Sequence, residues 1–238
     1  MLGGSFFYPI GNANAIIRFF NEFMYTAPDE LQADCYLTRD KCRVEFVYFG
    51  NLDAGERLLD NFRKFSMPEH DSVKRRPFSE VYDMPGDLSA PFKFNSKKGT
   101  YIEQMSDDVI ELVLNRLVQT PRRSSVYFDF SHYMHGEVCR IPPDDTAFEL
   151  RKPGALHLVY RVTWLDPIDT AACIAWQNET FDNLQPYSGG RIYANYMSVP
   201  GGSTAKAVFG SNFTHLAQLK KKYDPNNIFH LNQNILPG

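Results

Sequence analysis

The sequence has no run of about 18 apolar residues, so no helix of ordinary length is expected to span a membrane. It has no excess of positive charge either. Its 25 Lys and Arg are set against 28 Asp and Glu, a net charge of −3, and a nucleic-acid partner is therefore not expected. Cysteine is sparse. Cys35, Cys42, Cys139 and Cys173 form no Cys-x-x-Cys pair and no metal-ligand spacing, so no metal site is expected. They read as reduced, buried thiols of a cytoplasmic protein. The start, Met1 to Phe7, lacks a basic leader ahead of a long apolar stretch and does not read as a secretory signal. On that reading the sequons at Asn178 and Asn212 carry no weight. Internal repeats, heptads and low-complexity segments are also missing.

Aromatic residues are plentiful: 19 Phe and 13 Tyr supply large flat side chains for packed faces or a binding surface. With 238 residues the chain can bury a substantial core, as one large domain or two small ones. Asn12 or Asn14 caps a first helix with Ile16, Phe19, Phe20, Phe23 and Met24 on one side. Strands follow at 34–38 and 42–49, where Val44, Phe46 and Tyr48 alternate with Arg43, Glu45 and Val47. Asp53 and Glu56 form a capping box for a second helix, and residues 66–100 read as one short strand among extended connections. Ser106 caps a third helix with Val109, Ile110, Val113 and Leu117 inward.

Strands are expected next at 124–130, 137–141 and 155–164, the last with Leu156, Leu158, Tyr160 and Val162 on one face. Asp166-Pro167 opens a fourth helix, with Ile168, Ala171, Ala172, Ala175 and Trp176 facing in. Tyr193 lies on a further extended piece. Asn212 caps a final helix with Phe213, Leu216, Ala217, Leu219 and Tyr223 on its apolar side, and Lys220–Lys222 at its negative end. Helices in succession beside antiparallel strands, without βαβ alternation, argue for an α+β fold: a large, mostly antiparallel sheet with helices on one face. Residues 1–190 read as one substrate-binding-type domain, with 191–238 a C-terminal segment packed on it.

That segment carries an ordered set of features: Tyr193-Ala194-Asn195-Tyr196, Phe209-Gly210-Ser211-Asn212, Lys220 to Tyr223-Asp224-Pro225, and Asn232-Gln233-Asn234-Ile235. Together they resemble the C-terminal signature of the berberine-bridge-enzyme-like family of FAD-linked oxidases. Asp145-Thr146-Ala147-Phe148 with Arg151, and Gly3-Gly4-Ser5 with Tyr8-Pro9, look more loosely like family segments. In these, Glu149 and Leu150 replace a proline and a histidine. Nearly the whole chain resembles the C-terminal half of a family member.

The resemblance implies FAD and a small organic substrate. It also implies a flavin-binding domain from elsewhere, since no Gly-x-Gly-x-x-Gly is present to cradle a pyrophosphate. FAD is thus not expected to bind firmly to this chain alone. By resemblance, Tyr193 and Tyr196 are the catalytic candidates and Asn195 with Tyr196 the flavin contacts. Lys97, Lys98, Arg140 and Arg191 are candidate substrate-side residues, Arg140 standing where some plant members place an acidic base. A tyrosine is a poor base unless a cation or hydrogen bond supports its phenolate; Arg191, two residues away on an extended segment, and Lys97 or Lys98 are the cations considered. The plainer reading makes both tyrosines packed strand aromatics, and makes each of the six histidines a surface or hydrogen-bonded residue. Three roles compete: the substrate domain of an oxidase, a non-catalytic small-molecule binding module, and an interaction subunit. A homodimer is expected from the orphaned apolar face.

Overall fold

Alternating residues resolve into strands whose inward sides share one core. The computed structural model describes residues 1–82, 92–196, 202–231 and 234–237, without the side chains of 82, 196 and 202–204. Strands β1 (Leu2–Pro9), β2 (Leu31–Leu37), β3 (Lys41–Tyr48), β6 (Phe94–Ile102), β7 (Ser124–Ser131) and β8 (Leu156–Trp164) are joined by two short edge strands, β4 (His70–Asp71) and β5 (Lys74–Arg75). The eight-stranded sheet runs β4-β1-β3-β2-β7-β8-β6, with β5 also on β1, and every pairing is antiparallel. At the edge crossing, Gly4 has a positive φ and a Cβ there would collide with the Ser72 backbone, so only glycine lets β1 pass so close.

Helices α1 (Ala13–Tyr25), α2 (Leu52–Phe65), α4 (Asp107–Val118) and α6 (Thr170–Leu184) all lie on one face of the sheet. The shorter α3 (Phe78–Tyr82), α5 (Glu137–Arg140), α7 (Gly202–Phe209) and α8 (Phe213–Tyr223) complete the element order. The α+β expectation therefore holds. Phe6, Phe46, Phe128, Phe130, Leu158 and Tyr160 of the strands pack against Ile16, Phe20, Phe62, Val113 and Trp176 of the helices. Phe62 sits edge-on to Phe19 at 4.8 Å and to Phe46 at 4.9 Å, and each such buried ring contributes roughly 1.5–3 kcal/mol.

Several local expectations fail for identifiable reasons. The cap of α2 is Asn51, whose side chain accepts from the Ala54 amide at 3.0 Å; Asp53 and Glu56 instead both hold Arg75. Residues 66–100 contain two-residue strands, α3 and the nine-residue β6 rather than one short strand. The expected strand at 137–141 is α5. On α6 the buried side is Cys173, Trp176, Gln177, Thr180 and Leu184, while Ile168, Ala171, Ala172 and Ala175 face out. The helix is rotated because Gln177 and Thr180 are needed inside, where they meet Ser96 of β6 and Arg116 of α4. The Tyr193 segment is not a strand: it leads into a single 3-10 turn, Ala194–Tyr196. Asn212 does not cap α8 through its side chain, and no residue of α8 is buried.

Candidate functional site

The face of the sheet without helices is polar, and the strand register sets its layout. One row of directly opposed residues runs Ser5, Glu45, Asp34, Ser131, His157, Tyr101 across β1, β3, β2, β7, β8 and β6. The neighbouring row runs Phe7, Arg43, Tyr36, Asp129, Val159, Gly99. Tyr127, Arg161 and Lys97 form part of a third. Opposed side chains on one face interact directly, so these rows place both signs of charge and several phenols on one surface.

Tyr193 is laid over this face at the β8 end. Its ring centroid is 4.5 Å from that of His157 and 6.0 Å from Phe148, and the Asn195 amide donates to its hydroxyl at 2.9 Å. Around Tyr101 a small apolar cluster of Met134, Leu150 and Ala155, with Phe148 and Tyr193 against it, seats the segment. His157 is buried beneath, and burial pushes its imidazole down to about 4, so the ring is neutral at ordinary pH. Tyr101 is pushed up to about 12, chiefly by burial. Of the two sequence readings for the histidines, surface or hydrogen-bonded, the surface one does not hold for His157, which is buried against Tyr193. Leu156 and Leu158 mark their side of β8 as core, which leaves His157, Val159 and Arg161 for the other side; that alternation was the available signal.

The cation candidates separate in space. Lys97 is on the helix-free face, opposite Arg161, and lies near enough to Asp129 to favour its charged form. Lys98 points the other way: its ammonium donates to Asn178 of α6 at 2.7 Å and lies over the Phe181 ring, and burial lowers its pKa. Arg191 meets a carboxylate. It is ion-paired with Glu149, whose carboxylate also receives the Ser211 amide at 2.6 Å and the Ser211 hydroxyl at 2.9 Å. Arg140 lies on α5 rather than on a sheet strand, exposed and held by Asp29 at 2.6 Å and Glu137 at 2.8 Å. The Tyr196 backbone ends the 3-10 turn, and its side chain lies outside the described residues, as do Asn232 and Gln233. Asn212 donates to the carbonyls of Pro143 and Thr146 at 2.8 and 2.9 Å, tying the C-terminal segment to the loop before β8.

The acidic residues of the face were not singled out from the sequence. Asp34 is raised well above the carboxylate range, first by burial and then by Asp129. Asp129 is pushed up to about 7 by burial, against the Ser131 hydrogen bond and the Lys97 charge. Among the described residues, Asp34 Oδ1, Gln32 Nε2, Arg43 Nε and Arg161 Nε are buried without a hydrogen-bond partner, and all four belong to this face. Such unmet groups are costly unless something else satisfies them.

Some helix N-termini are a poor fit for a dinucleotide. Asn51, Ser106 and Asp166 occupy three of them through their own side chains, and Asp53, Asp107, Asp108 and Asp169 add negative charge in the first turns. These acids oppose the phosphate that a bare helix N-terminus attracts. These three termini therefore offer no pyrophosphate cradle.

Residues 192–236 match the family model described as berberine and berberine like. The chain is 26% identical over 207 residues to the FAD-linked oxidoreductase YvdP of Bacillus subtilis, covering 83% of this chain and 44% of YvdP. It is 29% identical over 179 residues to berberine bridge enzyme-like 6 of Arabidopsis thaliana, covering 68% of this chain and 31% of the relative. The matches lie on the C-terminal part of such proteins, and the chain spans half or less of the length of these two relatives. The fold superposes on Phl p 4, a grass pollen allergen with glucose dehydrogenase activity, with a TM-score of 0.79 at 22% identity, over 100% of this chain and 55% of that one.

Proposed function

We propose that this chain, which resembles the C-terminal half of berberine-bridge-enzyme-like proteins in sequence and fold, is the substrate-domain portion of an FAD-dependent oxidoreductase. The observation that carries the reading is positional. The family-matched segment brings Tyr193 and Asn195 onto the polar, helix-free face, above His157. On this proposal the flavin comes with a domain outside these residues and accepts hydride when bound. Tyr193 takes the substrate proton, supported by the Asn195 amide, and Lys97 lies on the same face. Phl p 4 is described as a glucose dehydrogenase, so a sugar hydroxyl is the first reductant to offer a completed enzyme. Four free thiols favour a reducing, cytoplasmic setting; no helix among the described residues is long and apolar enough to cross a membrane.

Purified alone, the chain should be colourless. Three of its helix N-termini are capped and acidic and no Gly-x-Gly-x-x-Gly is present, so FAD added and then dialysed away should leave no flavin absorbance. Stoichiometric, retained FAD would show that the chain holds the cofactor without a second domain, and the division of labour proposed here would be wrong.

The interaction-subunit reading has one specific observation in its favour. Phe229 and Leu231 are each 81% exposed and Tyr223 is 72% exposed, forming an apolar patch beyond α8 of the kind that marks an interface. In the absence of a flavin domain this patch should pair with a second copy. Sedimentation at micromolar concentration is expected to give a dimer, with 223–237 protected from protease. A monomer whose 223–237 segment is cut readily would remove the dimer.

A further inference from the structure

The row geometry isolates a second polar feature away from Tyr193. Asp34 of β2 is opposed to Ser131 of β7 and to Glu45 of β3, and Asp129 is two residues before Ser131 on the same face. Asp34 and Asp129 are therefore diagonal neighbours, a placement with about 7–8 Å between backbone positions, within reach of longer side chains. The Ser131 hydroxyl donates to Asp129 Oδ1 at 2.8 Å. Asp34 Oδ1 is out of solvent with no partner among the described residues. Arg43 is only 7% exposed, pairs with Glu45 at 3.6 Å, and leaves its Nε without a partner beside them. An unmet donor and an unmet acceptor thus sit together, and a hydroxyl, which both donates and accepts, answers the two.

We propose that Asp34 and Asp129 form a binding subsite for a hydroxyl group of a polyhydroxylated ligand, with Arg43 donating to the same ligand. The inference rests on the helix-free face being the substrate side. Asp34 and His157 are two strand spacings apart, roughly 10 Å. That separation suits a second hydroxyl of an extended molecule whose other end lies under Tyr193. The subsite positions and selects; it is not the place where the substrate proton leaves.

The protonation of the pair follows from the surroundings. Facing the pair are Tyr36 on β2, Glu45 and Arg43 on β3, Tyr127 on β7, His157 and Arg161 on β8, and Lys97 on β6. His157 is neutral, and Arg43 is engaged with Glu45. Burial is the leading cause that raises both carboxyls, Asp129 to about 7 and Asp34 well above its usual range, where the Asp129 charge adds to it. A pair with one proton both donates and accepts; a fully ionised pair only accepts. Ligand binding should therefore favour the protonated pair and weaken as pH rises through neutrality.

The test is calorimetric titration of xylitol, an uncharged polyol, into the chain near pH 6 and near pH 8, in buffers of different ionisation enthalpy. Wild type should bind roughly tenfold more weakly at the higher pH and take up a proton there. Asp129→Asn keeps a donor and an acceptor in place, so it should bind at both pH values without pH dependence or proton uptake; Asp129→Ala should lose binding. Asp34→Asn and Asp34→Ala repeat the comparison should either Asp129 variant fold poorly. No xylitol binding by wild type, binding independent of pH, or asparagine variants as defective as alanine ones would each overturn the subsite. Every readout is taken without flavin, so a negative result leaves the oxidoreductase reading standing, and failure of flavin-linked turnover leaves the subsite standing.

Discussion

In a chain completed by a flavin-binding domain, Tyr193→Phe is expected to lower kcat by roughly 10²–10⁴-fold, the usual range for losing a positioned proton acceptor. KM should change little. Phenylalanine keeps the ring, and the ring makes the contacts with His157 and Phe148 at 4.5 and 6.0 Å; only the hydroxyl and its 2.9 Å bond from Asn195 are lost. A loss in kcat with KM preserved is the signature of an interaction made in the transition state rather than the ground state. Asn195→Ala should act in the same direction and less strongly, because water can replace an exposed donor. Steady-state kinetics on the completed enzyme reads both variants. Unchanged turnover in Tyr193→Phe would return Tyr193 to the role of a packing aromatic and move the search for the proton acceptor elsewhere on the face.

Arg116→Ala should cost about 3–5 kcal/mol of stability, the range for removing one member of a buried charged network. Its side chain is only 6% exposed, yet every part is engaged. Nε donates to Thr180 at 2.9 Å, one terminal nitrogen to the Trp176 carbonyl at 2.9 Å, and the other to Gln119 at 2.8 Å and Glu179 at 3.0 Å. The Trp176 indole returns a bond to the Arg116 carbonyl at 3.0 Å. These contacts lock α4 to α6, and α6 is the helix that covers β6 and β8 from behind the candidate site. Removal leaves the Trp176 carbonyl and the Thr180 hydroxyl with only the 2.7 Å bond between them, and opens a cavity. For a chain of this size the melting temperature should fall by roughly 6–20 °C. Thermal unfolding with urea titration measures it; a loss below about 1 kcal/mol would mean that the network contributes only orientation. Arg116→Lys should recover little, since an ammonium lacks the planar fork that reaches four partners at once.

The pattern of residues along the chain was enough for the framework. Alternation in β3 and β8 and the one-sided stripes of α1 and α4 settle which residues enter the core, because burial of apolar area is a local instruction that each segment carries. The order of motifs from Tyr193 to Ile235 was likewise sufficient for the family resemblance. What the sequence left open depended on partners far away in the chain. Lys97 and Lys98 are adjacent and chemically identical, and only the register against β8 sends one to the polar face and the other under Phe181. Arg191 looks available to Tyr193 until the fold brings Glu149, 42 positions earlier by their numbers 191 and 149, against it. The inward side of α6 cannot be read from its alanines, because two polar residues, Gln177 and Thr180, are drawn inside by Ser96 and Arg116. Asp34 and Asp129 look like ordinary strand-surface acids until β2 and β7 pair. Hydrophobic periodicity is written into each segment, whereas strand register and the pairing of distant charges arise only when the segments meet, so the core was legible in the sequence and the polar face was decided by the tertiary structure.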